Sequence, residues 1–190
     1  MIIMPERLQE LMDELKVSNA ETFYHSLHVK SYVLAIMKHL INDGVISYSK
    51  SELDAILKGA LLHDIGKLFV KNAILTKDSR LTDEEKGHMT EHTRLGFEAV
   101  ESSLTDEEYE IVKNICLYHH ERIDGKGYEG KADLPEYVQI VSVCDVYDAL
   151  TTDRIYRDAI EPEKAINLIK NGDCGIFDEQ IVKYLWQIVE

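Results

Sequence analysis

The sequence feature that most constrains the fold is a helix-start signal that recurs along the chain. It consists of a hydroxyl residue followed three positions later by an acid, just before an apolar-periodic run. In such a capping box the two side chains accept each other's backbone N–H groups, which the first helical turn leaves free. The pattern occurs at Ser51 with Asp54, at Thr82 with Glu85 and at Thr105 with Glu108. It predicts a succession of helices.

Apolar spacing supports the same interpretation. Between Phe23 and Asn42 the apolar residues recur at three- and four-residue intervals, which is typical of a helix, and strand-type alternation is absent there. The chain has three prolines, no low-complexity tract and no repeat, so nothing divides it into parts. We therefore predict one all-α domain. The predicted helices cover about residues 4–16, 21–42, 51–63, 82–101, 105–121, 135–151, 162–171 and 178–189.

Length and charge limit the class of function. A chain of 190 residues fits one core, which buries roughly 70% of the surface of the unfolded chain. The net charge of −14 disfavours binding to DNA or RNA duplexes, because that mode needs clustered Lys and Arg. A phosphate-bearing ligand would need local positive charge. Metal ions held by carboxylates and imidazoles can supply such charge inside an acidic protein.

The sequence favours a cytoplasmic protein. Apolar runs are too short to span a bilayer, and the start MIIMPERLQE lacks the features of a secretory signal. The three cysteines, Cys116, Cys144 and Cys174, show no CxxC spacing, and their odd number argues against a disulfide framework. We therefore interpret them as reduced thiols and expect no membrane partner.

Two adjacent pairs of side chains carry the first signal of chemistry. His63 and Asp64 are neighbours where a helix pattern ends in HDIGK, so their side chains can meet at one ion. His119 and His120 repeat this arrangement at the end of another predicted helix. Asp64 alone is weak evidence, because an Asp at a helix end is more often a cap than a metal ligand.

Further candidates lie on other predicted helices. Glu21 and His25 are four residues apart, which places a carboxylate and an imidazole on one helical face. His92 lies on the helix that follows Thr82, and Asp145 lies in the apolar stretch VSVCDVYDAL, where a buried carboxylate must be paired or bind a metal. Asp148 is interpreted as a support for a ligand or for the helix itself. We leave out the isolated histidines His28, His39 and His88.

The order of these residues resembles the metal-binding series of the HD hydrolase superfamily, and in particular its HD-GYP branch. The resemblance runs from about Glu21 to about Tyr184 and includes LLHDIGKLFV, EHTRLG, YHHERIDGKGY and DVYDALTTDRIYR. It implies an HD-type helical bundle of about seven to eight helices. Residues 1–20 would then form an N-terminal helix and residues 21–190 an HD-GYP-like domain, within one globular unit.

The resemblance also implies a set of metal ligands. They are His25, His63, Asp64, His92, His119, His120 and Asp145, with Asp64 bridging two ions and Glu21 supplying a ligand to a third. Mixed imidazole and carboxylate ligation without thiolate suits iron, manganese or zinc more than calcium. The family points to iron or manganese, so we expect two or three divalent ions of these kinds.

By the same resemblance the protein is expected to be a cyclic dinucleotide phosphodiesterase. Cyclic di-GMP would be opened to pGpG, and further to GMP, by attack of a hydroxide that bridges the metal ions. Asp64 and Lys67 match catalytic positions of the family. The positions that match its substrate contacts are Tyr128, Arg154 and Arg157.

One departure from the family leaves the substrate open. Where the family has GYP and a longer loop, this chain has GYEGKADLP, so Glu129 replaces a proline and a carboxylate that points inward would repel phosphate. Two alternatives therefore remain: an HD-type hydrolase that acts on another nucleotide phosphoester, and a catalytically weak signalling domain that binds a nucleotide. A homodimer and a sensory partner are also left open.

Overall fold

The computed structural model describes residues 4–153 and 158–190, and within these two ranges the regular elements are all helices, joined by turns and loops, with no β-strand. The α-helices are α1 Glu6–Ser18, α2 Ala20–Asn42, α3 Lys50–Leu62, α4 Asn72–Leu75, α5 Asp83–Val100, α6 Asp106–Tyr118, α7 Glu136–Thr151, α8 Pro162–Lys170 and α9 Glu179–Val189. Short 3₁₀ helices cover Ile65–Phe69 and Glu101–Ser103. The prediction of an all-α fold is confirmed.

All eight predicted helices are present, and the differences lie in short elements and in one cap. Helix α4 and the two 3₁₀ helices were not predicted, because each is too short to show apolar periodicity. The capping boxes that begin α5 and α6 are confirmed. The predicted box of Ser51 with Asp54 is wrong, since α3 begins earlier.

Helix α3 is capped by an overlapping copy of the same pattern. The Oγ atom of Ser49 accepts the N–H of Glu52 at 3.2 Å, and the N–H of Ser49 donates to Glu52 Oε2 at 2.7 Å. Ser51 therefore lies inside the helix. Sequence spacing alone could not separate the two overlapping patterns.

Helices α2 and α7 form the centre of the main hydrophobic core. Helix α2 packs against α1, α3, α7 and α9, and its inner face buries Val29, Val33 and Ile36 completely. Each such side chain contributes roughly 1.5–3 kcal/mol through burial. Helix α7 is apolar on most sides, which is typical of a helix enclosed by others, yet it also buries Asp145 and Asp148. No described helix has the length and apolar character that a bilayer crossing requires.

Close backbone contacts bring the 3₁₀ helix Ile65–Phe69, which follows α3, against α5. A Cβ atom on Gly66 would lie 1.9 Å from the carbonyl oxygen of His92 and 2.6 Å from the nitrogen of Gly96, so only glycine fits this position. The contact fixes the turn after His63 and Asp64 beside His92. Gly59 similarly lets α3 approach α6, since a Cβ there would lie 2.5 Å from Ile115 Cδ1.

We expect Gly66→Ala to lower the free energy of unfolding by about 2 kcal/mol or more, because the added methyl group meets backbone that must move. The matched control is Gly87→Ala on α5, where nothing lies within 4 Å of the added Cβ. That change should raise stability by up to about 1 kcal/mol, since alanine favours the helix. Urea unfolding of both variants measures the difference. Equal stability of the two variants would contradict the close packing.

Candidate metal centre

Seven side chains from distant parts of the chain converge in one buried cluster. Among the described residues they form two groups that could each hold a metal ion, with the ligand atoms in each group within 4.8 Å of one another. The first group is Asp64, His92, His119 and His120, and the second is His25, His63 and Asp145. They come from α2, the end of α3, α5, the end of α6, and α7. Neither group contains a cysteine.

Asp64 lies between the two groups. Its Oδ1 atom is 3.3 Å from Nε2 of His92 and 3.8 Å from Nε2 of His119. Its Oδ2 atom is 3.5 Å from Nε2 of His63 and 3.7 Å from Nε2 of His25. One carboxylate thus faces both groups with different oxygens, which is the orientation that a bridging ligand requires. The bridging role itself stays a prediction.

Backbone carbonyls orient three of the imidazoles. In each case Nδ1 donates to a carbonyl oxygen of the preceding helical turn. The acceptors are Ala60 for His63 at 2.8 Å, Met89 for His92 at 2.6 Å and Ile115 for His119 at 3.1 Å. Because a carbonyl only accepts, Nδ1 must carry the proton, and the Nε2 lone pair is left to face the cluster. This is how proteins prepare imidazole for a cation.

Burial keeps these histidines neutral. It lowers the pKa of His63 and of His92, and it lowers the pKa of His119 well below the usual value. Burial likewise lowers the pKa of His120 to about 3. Neutral imidazole is the form that binds metal, because the protonated ring has no free lone pair.

Asp64 is ionised although it is completely enclosed. Burial alone raises the pKa of Asp64, but the Lys67 ammonium and the surrounding imidazoles outweigh this and hold the pKa well below its usual value. Lys67 Nζ donates to Asp64 Oδ2 at 2.6 Å. The cluster therefore presents a carboxylate anion beside the neutral imidazoles of His63, His92, His119 and His120, which is a suitable environment for a cation.

His25 is held differently, by two acids of α7. Its Nδ1 lies 2.7 Å from Asp148 Oδ2 and its Nε2 lies 3.0 Å from Asp145 Oδ1. Burial lowers the pKa of His25, but the hydrogen bonds with Asp145 and Asp148 outweigh it and raise the pKa to about 9. Of the two interpretations of Asp148, support of a ligand agrees with this geometry. A carboxylate behind an imidazole is a common outer partner in metal sites.

The buried polar atoms of the cluster fit a bound cation. His63 Nε2 and Asp64 Oδ1 are buried without a hydrogen-bond partner among the described residues. A buried polar atom without a partner costs about 1–3 kcal/mol, so such atoms usually face a ligand, water or ion. Both atoms point into the cluster, and the nitrogen and oxygen donors suit iron, manganese or zinc. The residues therefore fit the metal ions that the sequence predicts.

Two cavities flank the cluster. The first, of about 310 Å³, is lined by Glu21 and Lys67 together with polar residues at the start of α2. Glu21 lies outside both metal groups, and its role toward a third ion stays a prediction. The second cavity, of about 460 Å³, is lined by His120, Arg122 and Tyr128. The ring of Tyr128 lies 4.5 Å from that of His120, at an angle of 35°.

The remaining residues that the sequence analysis considered lie outside the two metal groups or outside the described residues. Arg154 and Arg157 lie outside the described residues. His88, which was left out of the ligand set, lies at the surface with Nδ1 3.7 Å from a carboxylate oxygen of Glu91. His28 contacts Asp148 at 3.1 Å, and it joins neither metal group.

Glu121 was missed by the sequence analysis. It is almost completely buried, directly after His120, and its carboxylate accepts backbone N–H groups of the following glycine-rich loop. The available signal was an acid placed between two histidines and a loop. The position of this acid in the sequence does not predict its contacts, because its partners are main-chain N–H groups eight and ten residues further along the chain.

Comparisons with known proteins show which family the sequence matches. Residues 22–150 match the model of the family described as HD domain. The chain is 35% identical over 180 residues to a "Cyclic di-GMP phosphodiesterase" of Vibrio cholerae, covering 90% of this chain and 36% of that protein. It is 31% identical over 183 residues to the "3'3'-cGAMP-specific phosphodiesterase 2" of the same species, covering 95% of this chain and 34% of that protein.

A solved structure shares the fold. It is described as "Bd1817, a HDG"Y"P protein from Bdellovibrio bacteriovorus", and it matches 96% of this chain and 57% of its own length. The TM-score is 0.69 at 21% identity, so this likeness concerns the fold alone. The chain spans about a third of the length of the two curated relatives from Vibrio cholerae.

We expect Asp148→Asn to weaken metal binding by about 10- to 100-fold, because the amide cannot hold His25 as the carboxylate does. The control is Asp83→Asn, whose side chain is 98% exposed at the start of α5. Titration of manganese against a competing chelator measures both affinities. Unchanged affinity in Asp148→Asn would show that Asp148 supports the helix and not the ligand.

Proposed function

Since this chain belongs to the HD domain family, we propose that it is a metal-dependent phosphodiesterase that hydrolyses a cyclic dinucleotide. The observation that carries the proposal is the Asp64 carboxylate, which faces a separate group of imidazoles with each of its oxygens. Two buried atoms of this cluster lack any hydrogen-bond partner in the described chain, which supports a cation on each side of Asp64.

The proposed substrate is cyclic di-GMP, converted to pGpG and further to GMP. Support comes from the Vibrio cholerae relative that bears the name of a cyclic di-GMP phosphodiesterase. A second candidate, 3'3'-cGAMP, is supported by the relative named for that compound. Both compounds are cyclic dinucleotides with two phosphodiester links, so the same centre suits either.

Each of the two groups of side chains would hold one ion. His92, His119 and His120 would hold one ion, and His25, His63 and Asp145 the other, with Asp64 shared. When bound, such ions supply the Lewis acidity that activates water and neutralises phosphate charge. We propose iron or manganese, with Glu21 available to a third ion. Lys67 fixes Asp64 and places an ammonium group beside the first cavity, where a phosphate oxygen can meet it.

Local positive charge must overcome the acidity of the whole chain. With a net charge of −14 the protein repels a cyclic dinucleotide at long range. Lys67 lines the first cavity and Arg122 the second, and their charges offset part of this repulsion at the site, whereas Lys126 is paired with Asp124 at 3.1 Å. Arg154 and Arg157 are proposed to add phosphate contacts, in which a guanidinium can pair with two oxygens. Tyr128 is proposed to contact the substrate from the second cavity.

The substrate is tested by incubating manganese- or iron-loaded protein with cyclic di-GMP, 3'3'-cGAMP and a panel of nucleotides, followed by chromatography. We expect a linear dinucleotide from cyclic di-GMP. The Asp64→Ala variant is the matched negative: it should lose bound metal and turnover together, because the shared carboxylate is gone. Asp83→Ala should retain both.

The alternative functions give different results in the same experiment. Turnover of other phosphoesters without turnover of either cyclic dinucleotide would contradict the proposal. Tight binding of cyclic di-GMP without product over hours, by protein loaded with iron under anaerobic conditions, would instead indicate a nucleotide-binding domain. Full activity in Asp64→Ala would contradict its shared position.

A further inference from the structure

The carboxylate of Glu121 holds the glycine-rich loop that follows the two adjacent histidines. The N–H of Glu129 donates to Oε1 at 2.7 Å, and the N–H of Lys131 donates to Oε2 at 2.7 Å. Glu121 is only 1% exposed, so its charge is removed from water. A buried carboxylate is tolerated when charge-assisted hydrogen bonds replace its hydration, and here the loop backbone provides them.

The loop is shaped to fit closely around Glu121. A Cβ atom on Gly127 would lie 2.4 Å from Glu121 Cα and 2.6 Å from its Cδ, so a side chain there would push the loop away. Gly125 and Gly130 have φ angles of +70° and +73°, which suit glycine because it has no Cβ. The glycines therefore let residues 125–131 wrap around one carboxylate.

Glu121 is itself tied to helix α7. Its carbonyl oxygen accepts Arg122 Nη1 at 2.7 Å and the Ser142 hydroxyl at 3.2 Å. Arg122 Nη1 also donates to Ser142 Oγ at 2.9 Å. Ser142 lies one turn before Asp145 on the same helix. The loop is thereby connected through Glu121 to the helix that carries one of the candidate ligands.

Tyr128 lies in the segment between Gly127 and the first clamped N–H group. Its ring covers that of His120, with ring centres 4.5 Å apart, and approaches the ring of His92 edge-on at 6.5 Å. Tyr128 also forms part of the wall of the 460 Å³ cavity beside the metal centre. The position of this wall depends on the loop backbone, and the loop backbone depends on Glu121.

We propose that Glu121 is a positioning residue that holds Tyr128 over His120 through its two backbone hydrogen bonds, and so sets the shape of the substrate cavity. The catalytic consequence of this arrangement rests on the proposed function. Glu129 contributes its N–H group, while its side chain is exposed. A proline at this position would have no N–H to donate to Glu121.

Amide hydrogen exchange of the full metal-loaded chain tests the clamp without any substrate. In Glu121→Gln one carboxylate oxygen becomes an NH₂ group that cannot accept a hydrogen bond. We expect exchange at Glu129 or Lys131 to become about tenfold faster or more, with helices α2 and α7 unchanged. Exchange at both amides equal to that of the unchanged protein would overturn the proposal.

A pair of variants at position 129 separates backbone from side chain. Glu129→Pro removes the N–H group, and we expect faster exchange at Lys131 because the loop loses one of its two anchors. Glu129→Gln keeps the N–H group and removes the charge, so exchange at Lys131 should not change. Equal exchange in the two variants would show that the N–H of residue 129 does not hold the loop.

Kinetics then link the clamp to the substrate. Glu121→Gln should raise KM for the hydrolysed dinucleotide by about tenfold, with kcat and bound metal nearly unchanged, because the cavity wall changes and the ligand set does not. Loss of metal without faster loop exchange would overturn the proposal. If the unaltered protein hydrolyses no dinucleotide but shows the expected exchange pattern, the proposed function fails and the clamp stands.

Discussion

The structure depends on the burial of one carboxylate, that of Asp64, among imidazole nitrogens. Removing this group from water is costly, and Lys67 at 2.6 Å offsets only part of the cost because Oδ1 faces His92 and His119 without a hydrogen bond. A cation on each side of the carboxylate would satisfy both oxygens. Five segments must then pack so that their imidazoles and carboxylates meet at this point, which explains why backbone approaches as close as that of Gly66 to α5 are needed.

The surrounding helices both enclose the polar cluster and stabilise it. The core around α2 and α7 is almost entirely aliphatic, and its burial offsets the cost of placing charged groups on the same helices. Main-chain carbonyls fix the imidazoles from behind, and Asp148 does the same for His25. The donors are thus oriented before any ion binds, and little conformational entropy remains to be lost on binding.

Much of this arrangement could be predicted from the sequence, because long helices carry a periodic signal and capping residues mark where they begin. The seven side chains that converge in the cluster were predicted from the order of histidines and acids and from the family resemblance, and their role as ligands stays a prediction. What failed were features without a local signal. Helix α4 spans four residues, and α3 is capped by Ser49 where the overlapping pattern at Ser51 was chosen. Glu121 was missed because its partners are backbone N–H groups. Every residue except proline has such a group, so the sequence gives no sign of which ones bind Glu121.

A two-ion centre that shares Asp64 is tested most directly by locating manganese ions through their anomalous X-ray scattering in crystals of the metal-loaded chain. Two peaks are expected, one in contact with His92, His119 and His120 and the other in contact with His25, His63 and Asp145, with one oxygen of Asp64 bound at each. A third peak at Glu21 would extend the centre without altering it. A single ion, or ions that bind elsewhere while the cluster keeps its buried atoms without partners, would contradict the account.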